Sequence, residues 1–517
     1  MTDNQDKNII IVLEIGTSAL RAAAAEVLDD TANILDIETE PLEQSVRYGR
    51  IQNIEDVAGA ARRCLEALSA LPALASRPVQ GVYVAMGGRS LAASHAEASL
   101  TLPAEAEVTQ DILDRLAGDA CAGIADDREI LDVLPLGYIV DGIDTTRPCG
   151  SVASSISAGY TVVYCNSRNV RTTNTVVCER LGLDIAAMVT RPLAEAAMAL
   201  TPAERKAGCM LVDLGAETTT VSIYKDDALR YLATIPMGSD AITADIAAGM
   251  SLAAAQAREV KEDYADIAAS KGGDERLDKI NTLARERAMH IIANIKAQPE
   301  FAGYKGTDLA KGVVLTGGGS LMRHFGTRLG ELLMMPVRTA TASAEVSVTD
   351  SSMATGAFFP VVAVVAEAAR LARLPQATPC LGPAPVQERS EEAANATDTA
   401  EAAGTMVVDA AAVSTGFAVD DETVFNNYGI GAEAKPGTRR ADDDDILADD
   451  ILADDDKKRK HPKKHQEPEE PECTEEPNGP GKPGRSGGFS SVLKKLSNRF
   501  TTLMKEADDS DSFDDEQ

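Results

Sequence analysis

Two short stretches of this chain place an acidic residue two positions before a glycine, each at the end of an apolar run. They are VLEIGTS (12–18), with Glu14 and Gly16, and LVDLGAETT (211–219), with Asp213 and Gly215. Such turns suit a phosphate. Glycine lets backbone N–H donors approach closely, and the hydroxyls of Thr17, Ser18, Thr218 and Thr219 add hydrogen bonds. The carboxylates of Glu14 and Asp213 are suited to holding a hydrated Mg2+ or orienting water, which makes them candidates for a catalytic role. Taken alone, each stretch reads more readily as a tight hairpin with a solvated carboxylate. A third stretch changes the balance. VVLTGGGSLMRHFGTRLGELL (313–333) runs a buried apolar strand into Gly317, Gly318 and Gly319 and then into an amphipathic helix. Three glycines let backbone approach a base and sugar, and a helix N-terminus favours the phosphate side.

These corners need strands to hold them. NIIIVLEIG (8–16) and ALRAAAAEV (19–27) read as two strands around a Gly-Thr-Ser turn, and CMLVDLG (209–215) and TTTVSIYKD (218–226) repeat the plan 199 residues later. From Ile9 to about Leu374 strand-like and helix-like segments alternate, as in mixed α/β folds. Two copies of one hairpin imply two related halves facing each other, whereas a solenoid would show many.

At 517 residues the chain can bury two or more separate cores. Its net charge of −31 argues against a general nucleic-acid binder, because phosphates would be repelled. Eight cysteines are scattered without a CxxC pair, and five histidines show no ligand spacing. The opening MTDNQDKNIIIVLEIG has no basic n-region. Nor does any apolar run approach the roughly 18 residues of a membrane span. A cytoplasmic protein with free thiols is expected. Residues 381–517 carry 32 acidic against 16 basic side chains, half of the net charge in 137 residues. The low-complexity stretch 381–488, with ILADD written twice and a basic block at 457–465, has too little apolar surface to offset chain entropy and is expected to be a disordered tether. The basic block is read as balancing the adjacent Asp run. Beyond it lies FSSVLKKLSNRFTTLMKEA (489–507). At about 100° per residue, Phe489, Val492, Leu493, Leu496, Phe500, Leu503 and Met504 share an arc of roughly 120°, with Lys494, Lys495, Arg499 and Lys505 outside it. With no domain left to pack into, this reads as a helix for an anionic membrane surface.

The order LEIGTS (13–18), VDLGAETT (212–219) and LTGGGSLM (315–322) resembles the phosphate-one, phosphate-two and adenosine motifs of the actin-like ATPase superfamily. Within it the chain is similar to the FtsA family of bacterial cell division. IPMGSDAITADIA (235–247) resembles the segment after the second hairpin, and VLPLGYIVDGIDTTRPCG (133–150) the signature of the inserted 1C subdomain. The terminal helix is similar to the family's membrane-targeting sequence. The resemblance covers about 8–374 and 489–505. It implies an α/β, ribonuclease H-like duplicated, two-lobed actin-like fold. Subdomain 1A would take 1–84 and 166–195, a 1C-like insertion 85–165, 2A 196–230, and 2B 231–312. Residues 313–374 would complete 2A and return to 1A, followed by a linker (375–488), the helix (489–507) and an acidic tail (508–517).

The resemblance also implies ATP with Mg2+ in the cleft between the halves and head-to-tail self-association into filaments. It implies docking of the FtsZ C-terminal tail on 2B, recruitment of other division proteins through the 1C-like part, and residence on the cytoplasmic face of the inner membrane at the division site. Carried over by position, Gly16, Thr17, Ser18, Gly215, Thr218 and Thr219 meet phosphate. Gly317 to Gly319 meet adenosine, Lys261 lies near the base or ribose, and Gly238 belongs to the nucleotide site. Mg2+ would be held through water by Glu14 and Asp213. Several positions depart from the pattern. Ala216 and Glu217 replace the usual glycines after phosphate two, which should crowd that loop and bring a carboxylate near the phosphates. Arg258 stands where a Glu would meet nucleotide, and Thr220 where an Asp commonly follows. Arg191 aligns with the usual hydrolytic Glu, with Glu195 one helical turn on. Slow or negligible hydrolysis is therefore expected. Two alternatives share the fold: a PilM-like adaptor of type IV pilus assembly, and a sugar-kinase or exopolyphosphatase relative.

Overall fold

The computed structural model describes residues 8–383 apart from 75–76, 271, 349–350 and 376. Within them the duplicated hairpin organises two sheets. The first has six strands in the order Asp184–Thr190, Gly81–Met86, Ile9–Ile15, Ala19–Val27, Ala32–Pro41, Val346–Ser347. In the second, Val337–Thr339, Val313–Thr316, Cys209–Leu214, Thr219–Lys225 and Ala228–Ile235 follow one another. It continues through a bridge between Ala233 and Ala92 into the inserted strands Ala92–Glu107, Val152–Asn166, Arg128–Val140 and Ile143–Thr145.

Sheet residues covered on both faces must be apolar, and closely approached ones must be small. The run Ala22–Ala25 is fully buried on its strand, which packs against helix Ile54–Ser69 and helix Phe359–Ala372. Alanine favours helices by propensity. Here burial between elements overrides that preference, as the alternation around the turn leads one to expect. The second lobe has its own core, where Met210, Val212 and Leu315 of the sheet meet Ile291, Ile292 and Ile295 of the long helix Glu275–Phe301. The insertion has a third, centred on Leu116, Ile156 and Val162. On its helix Gln110–Cys121, Asp111, Asp114 and Asp119 are exposed and form a solvated face.

Two boundaries differ from the sequence reading. The triple glycine does not lead straight into an α-helix. A 3-10 turn, Gly318–Leu321, comes first, and the helix begins only at Phe325. The linker expected from 375 does not start there, because residues 377–383 dock on the first lobe. Cys380 and Leu381 are buried there, Cys380 O accepts from Gln80 N at 2.8 Å, and Gly382 N donates to Pro78 O at 2.9 Å. Two apolar side chains supply the burial that holds this stretch in place. The rest of the linker, the terminal helix and the acidic tail lie outside the described residues.

The insertion is tied to the first lobe through Asp132, which accepts a hydrogen bond from Thr190 Oγ1. Burial pushes the Asp132 carboxyl up to about 6, against the opposing pull of that hydrogen bond, with the Glu367 charge adding to the rise. The folded chain therefore keeps this proton longer than the unfolded one, and the contribution of Asp132 to stability falls as pH rises from about 4 to about 6. Asp132→Asn keeps an acceptor for Thr190 and removes the buried charge. It is expected to raise stability by about 1–2 kcal/mol near pH 7 and to change it little near pH 4, as read by urea unfolding at both.

Candidate functional site

The two hairpins fold the same way to the residue. Glu14 pairs across its hairpin with Arg21 and Asp213 with Thr220, so both acidic residues occupy one register position. Gly16 N donates to Ala19 O at 3.0 Å, and Gly215 N to Thr218 O at 2.9 Å. A Cβ on either glycine would lie 2.9 or 3.0 Å from that same carbonyl oxygen. Their role is thus to let the turn close, and their own amides are spent inside it.

Between the hairpins lies a cleft of about 650 Å3, within the usual range for small-molecule sites. Of the candidates read from sequence, Glu14, Gly16, Thr17, Ser18, Asp213, Gly215, Thr218, Lys261, Gly317, Gly318 and Gly319 line it. Three do not. Thr219 turns away and donates from Oγ1 to Met237 O at 2.7 Å. Gly238 lies behind the second turn, where a Cβ would be 2.4 Å from Ala216 O, so it supports the loop from outside. Glu195 is fully buried behind Arg191. Thr219 follows from strand alternation, which sends neighbouring side chains to opposite faces.

Gly317 needs its residue type: at φ +84° a Cβ would meet Asp213 Oδ1 at 2.3 Å and Leu214 O at 2.5 Å. This close approach pins the adenosine-type corner to the second hairpin. The 3-10 turn it opens has first amides without partners inside the turn, the geometry that suits an anion or polar ring edge. Opposite, Lys261 is buried with Nζ 3.9 Å from Asp240 Oδ1, and burial holds its ammonium below the usual lysine range despite Asp240. Arg258 also reaches Asp240, at 3.4 Å.

Glu217 corrects an expectation. Its carboxylate does not face the cleft. It crosses to the other lobe, accepting from Arg47 Nε at 2.7 Å and from Tyr48 N at 2.6 Å. The receiving loop is set by Gly49, which packs backbone to backbone on Gly88 and donates from its amide to Thr17 Oγ1. An acidic side chain beside a phosphate loop finds donors more cheaply than it tolerates another anion. Glu217→Ala is expected to cost about 1 kcal/mol in this partly exposed setting and to speed amide exchange at Tyr48 by about tenfold, measured by hydrogen exchange with NMR or mass-spectrometric readout.

The centre of the site is Arg191, which the sequence marked only as a departure. It opens helix Arg191–Ala199, straight after the strand Asp184–Thr190. From there its guanidinium reaches Glu14 Oε1 at 3.3 Å, Asp213 Oδ2 at 2.7 Å and Glu195 Oε1 at 3.2 Å, the last an ion-pair contact whose angles do not make a hydrogen bond. Arg21, stacked over the Phe358 ring at 5.4 Å, takes the other Glu14 oxygen at 3.1 Å. Burial alone would lower the Arg191 pKa, but Asp213, Glu195 and Glu14 together hold it above the usual arginine value. Glu195 is pushed well above the carboxylate range, by burial first and then by Asp213 and Glu14, with Arg191 opposing. Asp213 is raised by burial and by Glu14, again against Arg191.

The implied Mg2+ therefore does not fit. Both oxygens of Glu14 and Oδ2 of Asp213 are engaged by guanidinium groups. Among the described residues no group of three or more His, Cys, Asp or Glu side chains is arranged to hold a metal. Arg21 could have been suspected from its hairpin position opposite Glu14, but Arg191 could not, since its partners lie 177 and 22 residues away.

Two lobes raised on one repeated hairpin, a glycine-lined cleft between them and an insertion in the first lobe define an actin-like protein. A chain of the solved PilM-PilN type IV pilus biogenesis complex shares the fold at TM-score 0.51, with 16% identity over 70% of this chain and 98% of that one. The chain is similar to the bacterial cell-division protein FtsA over its lobes and over the insertion. Residues 210–357 match the family described as Cell division protein FtsA, and residues 88–164 the SHS2 domain inserted in FTSA. Among curated relatives, Cell division protein FtsA of Pseudomonas aeruginosa is 27% identical over 369 residues, covering 68% of this chain and 87% of its own. That of Porphyromonas gingivalis is 25% identical over 342 residues, covering 63% and 71%.

Proposed function

We propose that this chain is an ATP-binding, membrane-tethered scaffold of bacterial cell division. It anchors FtsZ filaments at the cytoplasmic face of the inner membrane, assembles head to tail and recruits other division proteins. The observation that carries this reading is the pair of hairpins in identical register around one cleft, closed by Gly317 against Asp213. A nucleotide's phosphates would lie along Thr17, Ser18, Ala216 and Thr218, and its adenosine against Gly317 to Gly319 and Lys261. Arg191 stands where a hydrolytic carboxylate aligns, and a cation held by three acids cannot take a proton from water. Turnover is therefore slow or negligible.

Membrane attachment rests on the apolar arc and basic flanks of 489–507, and polymerisation would multiply that weak attachment through effective concentration. Among the described residues no helix is long and apolar enough to cross a membrane. The PilM-like reading shares only the fold, while the two family regions favour division.

The test uses the full chain. ATP or ADP at about 100 times its Kd should stabilise the head by about 2.7 kcal/mol, read as a rise in melting temperature. The chain should co-sediment with anionic liposomes, and Leu496→Asp with Phe500→Asp should release it. It should also bind an FtsZ C-terminal tail peptide. Unchanged melting with both nucleotides at saturating concentrations would remove the nucleotide from this account, and failure to bind the peptide would remove FtsZ.

A further inference from the structure

We infer that Arg191 is a built-in cation that takes the place of a divalent metal, so that this chain binds its nucleotide without one. The inference rests on the nucleotide reading above and adds to it what balances the charge.

The geometry is specific. Glu14 and Asp213 hold equivalent positions on the two hairpins, facing each other across the cleft. A divalent ion shared by them would have to sit between them. The Arg191 guanidinium is there already, touching Glu14 at 3.3 Å through Nη1 and Asp213 at 2.7 Å through Nη2. The fork of a guanidinium matches two carboxylates as a point charge does not, and it carries its charge at any pH the folded chain meets.

Charge makes the same point. Glu14, Asp213 and Glu195 contribute as much as −3, and Arg21 and Arg191, in ion-pair contact with them, contribute +2. The two positive charges that a dication would supply are already provided by side chains. Arg191 does not stand there by local preference, either. A cation in the first turn of a helix is opposed by the helix dipole, so the surrounding acids must hold it in place. Glu195, one turn along the same helix, backs the guanidinium at 3.2 Å from the side away from the cleft. Gly87 faces it from the first lobe, where a Cβ would lie 3.5 Å from Arg191 Cζ, in ordinary contact. The guanidinium is thus packed in position before any ligand arrives, and it lines the cleft where phosphates would lie.

The decisive comparison needs no substitution. Binding of ADP and of ATP to the full chain is measured by calorimetry in excess EDTA and in excess Mg2+. The expected dissociation constants agree within about threefold. A loss of about tenfold or more in EDTA would overturn the inference and leave the nucleotide reading standing. Absence of binding in both buffers would overturn both. A second arm uses Arg191→Gln. In EDTA the variant should bind at least about tenfold more weakly than the parent, and Mg2+ should restore part of that loss, a metal dependence the parent lacks. A variant that bound like the parent in both buffers would show that the guanidinium does not do the work of a cation. Mn2+ titrated against the nucleotide-free parent, followed by its paramagnetic resonance spectrum, should give the signal of free aqueous ion. A bound species of one ion per chain that disappears in Asp213→Asn would count decisively against the inference.

Discussion

Gly317→Ala is expected to destabilise the head by about 2–6 kcal/mol and to abolish protection by nucleotide. Two costs add. The backbone at φ +84° and ψ 165° is one that a side chain adopts at a penalty of about 1–3 kcal/mol, and an added methyl in a packed site costs roughly 1–3 kcal/mol more. The methyl would lie 2.3 Å from Asp213 Oδ1 and 2.8 Å from Leu214 C, so the second hairpin must move, and with it the partner of Arg191. Gly318→Ala is the control. Its Cβ meets only Ala357, at 3.5 Å, and should change stability by less than about 0.5 kcal/mol. Urea unfolding of the full chain with and without ADP measures both. Equal behaviour of the two variants would refute the pinned corner.

Arg191→Met is expected to cost about 3–5 kcal/mol near neutral pH, the usual penalty for removing one partner of a buried ion cluster. Three carboxylates, each at most 5% exposed, would lose their shared cation. The sign of the pH dependence follows. Without Arg191 the folded-state pKa values of Glu195 and Asp213, already raised by burial, rise further. The folded variant then binds more protons than the unfolded chain over a wider range, so its deficit grows as pH rises and shrinks on acidification. Unfolding near pH 5 should show a smaller gap from the parent than unfolding near pH 7. Adding Glu195→Gln to Arg191→Met should recover part of the loss, because it removes one of the uncompensated charges. A deficit independent of pH, untouched by the second substitution, would mean that Arg191 acts by packing alone.

The hairpins were legible because their signal is local. An apolar run, an acidic residue and a glycine at fixed spacing specify a strand and its turn, and the repeat 199 residues on specifies the second. The triple glycine was legible as a corner. Its continuation was not, since a 3-10 turn and an α-helix share the same apolar spacing over four residues. Glu217 was placed near phosphate because the sequence shows only its neighbours along the chain. Its partners Arg47 and Tyr48 are 170 and 169 residues distant, in the other lobe. Arg191 failed in the same way. As a residue type at an aligned position it argued against hydrolysis, but its function as counter-ion exists only once two strands and a helix start converge. Gly238 carried a family signature, yet its physical duty is to clear space for Ala216 O, a requirement no single-chain pattern reveals.

The docked stretch 377–383 also decides how load enters the head. Any pull on the chain beyond it arrives at the edge of the first lobe, beside Pro78 to Gly81. There it is met by Gly382 N on Pro78 O, by Cys380 O shared between Gln80 N and Gly81 N, and by Arg77 Nε on Gly382 O at 2.8 Å. The side chains of Cys380 and Leu381 act as buried pegs behind those bonds. Tension is thus spread over a strip of backbone beside Pro78 to Gly81 before it reaches helix Phe359–Ala372 and the cleft. The strip works as a strain relief: a tug on it peels these seven residues before it disturbs the glycine corners.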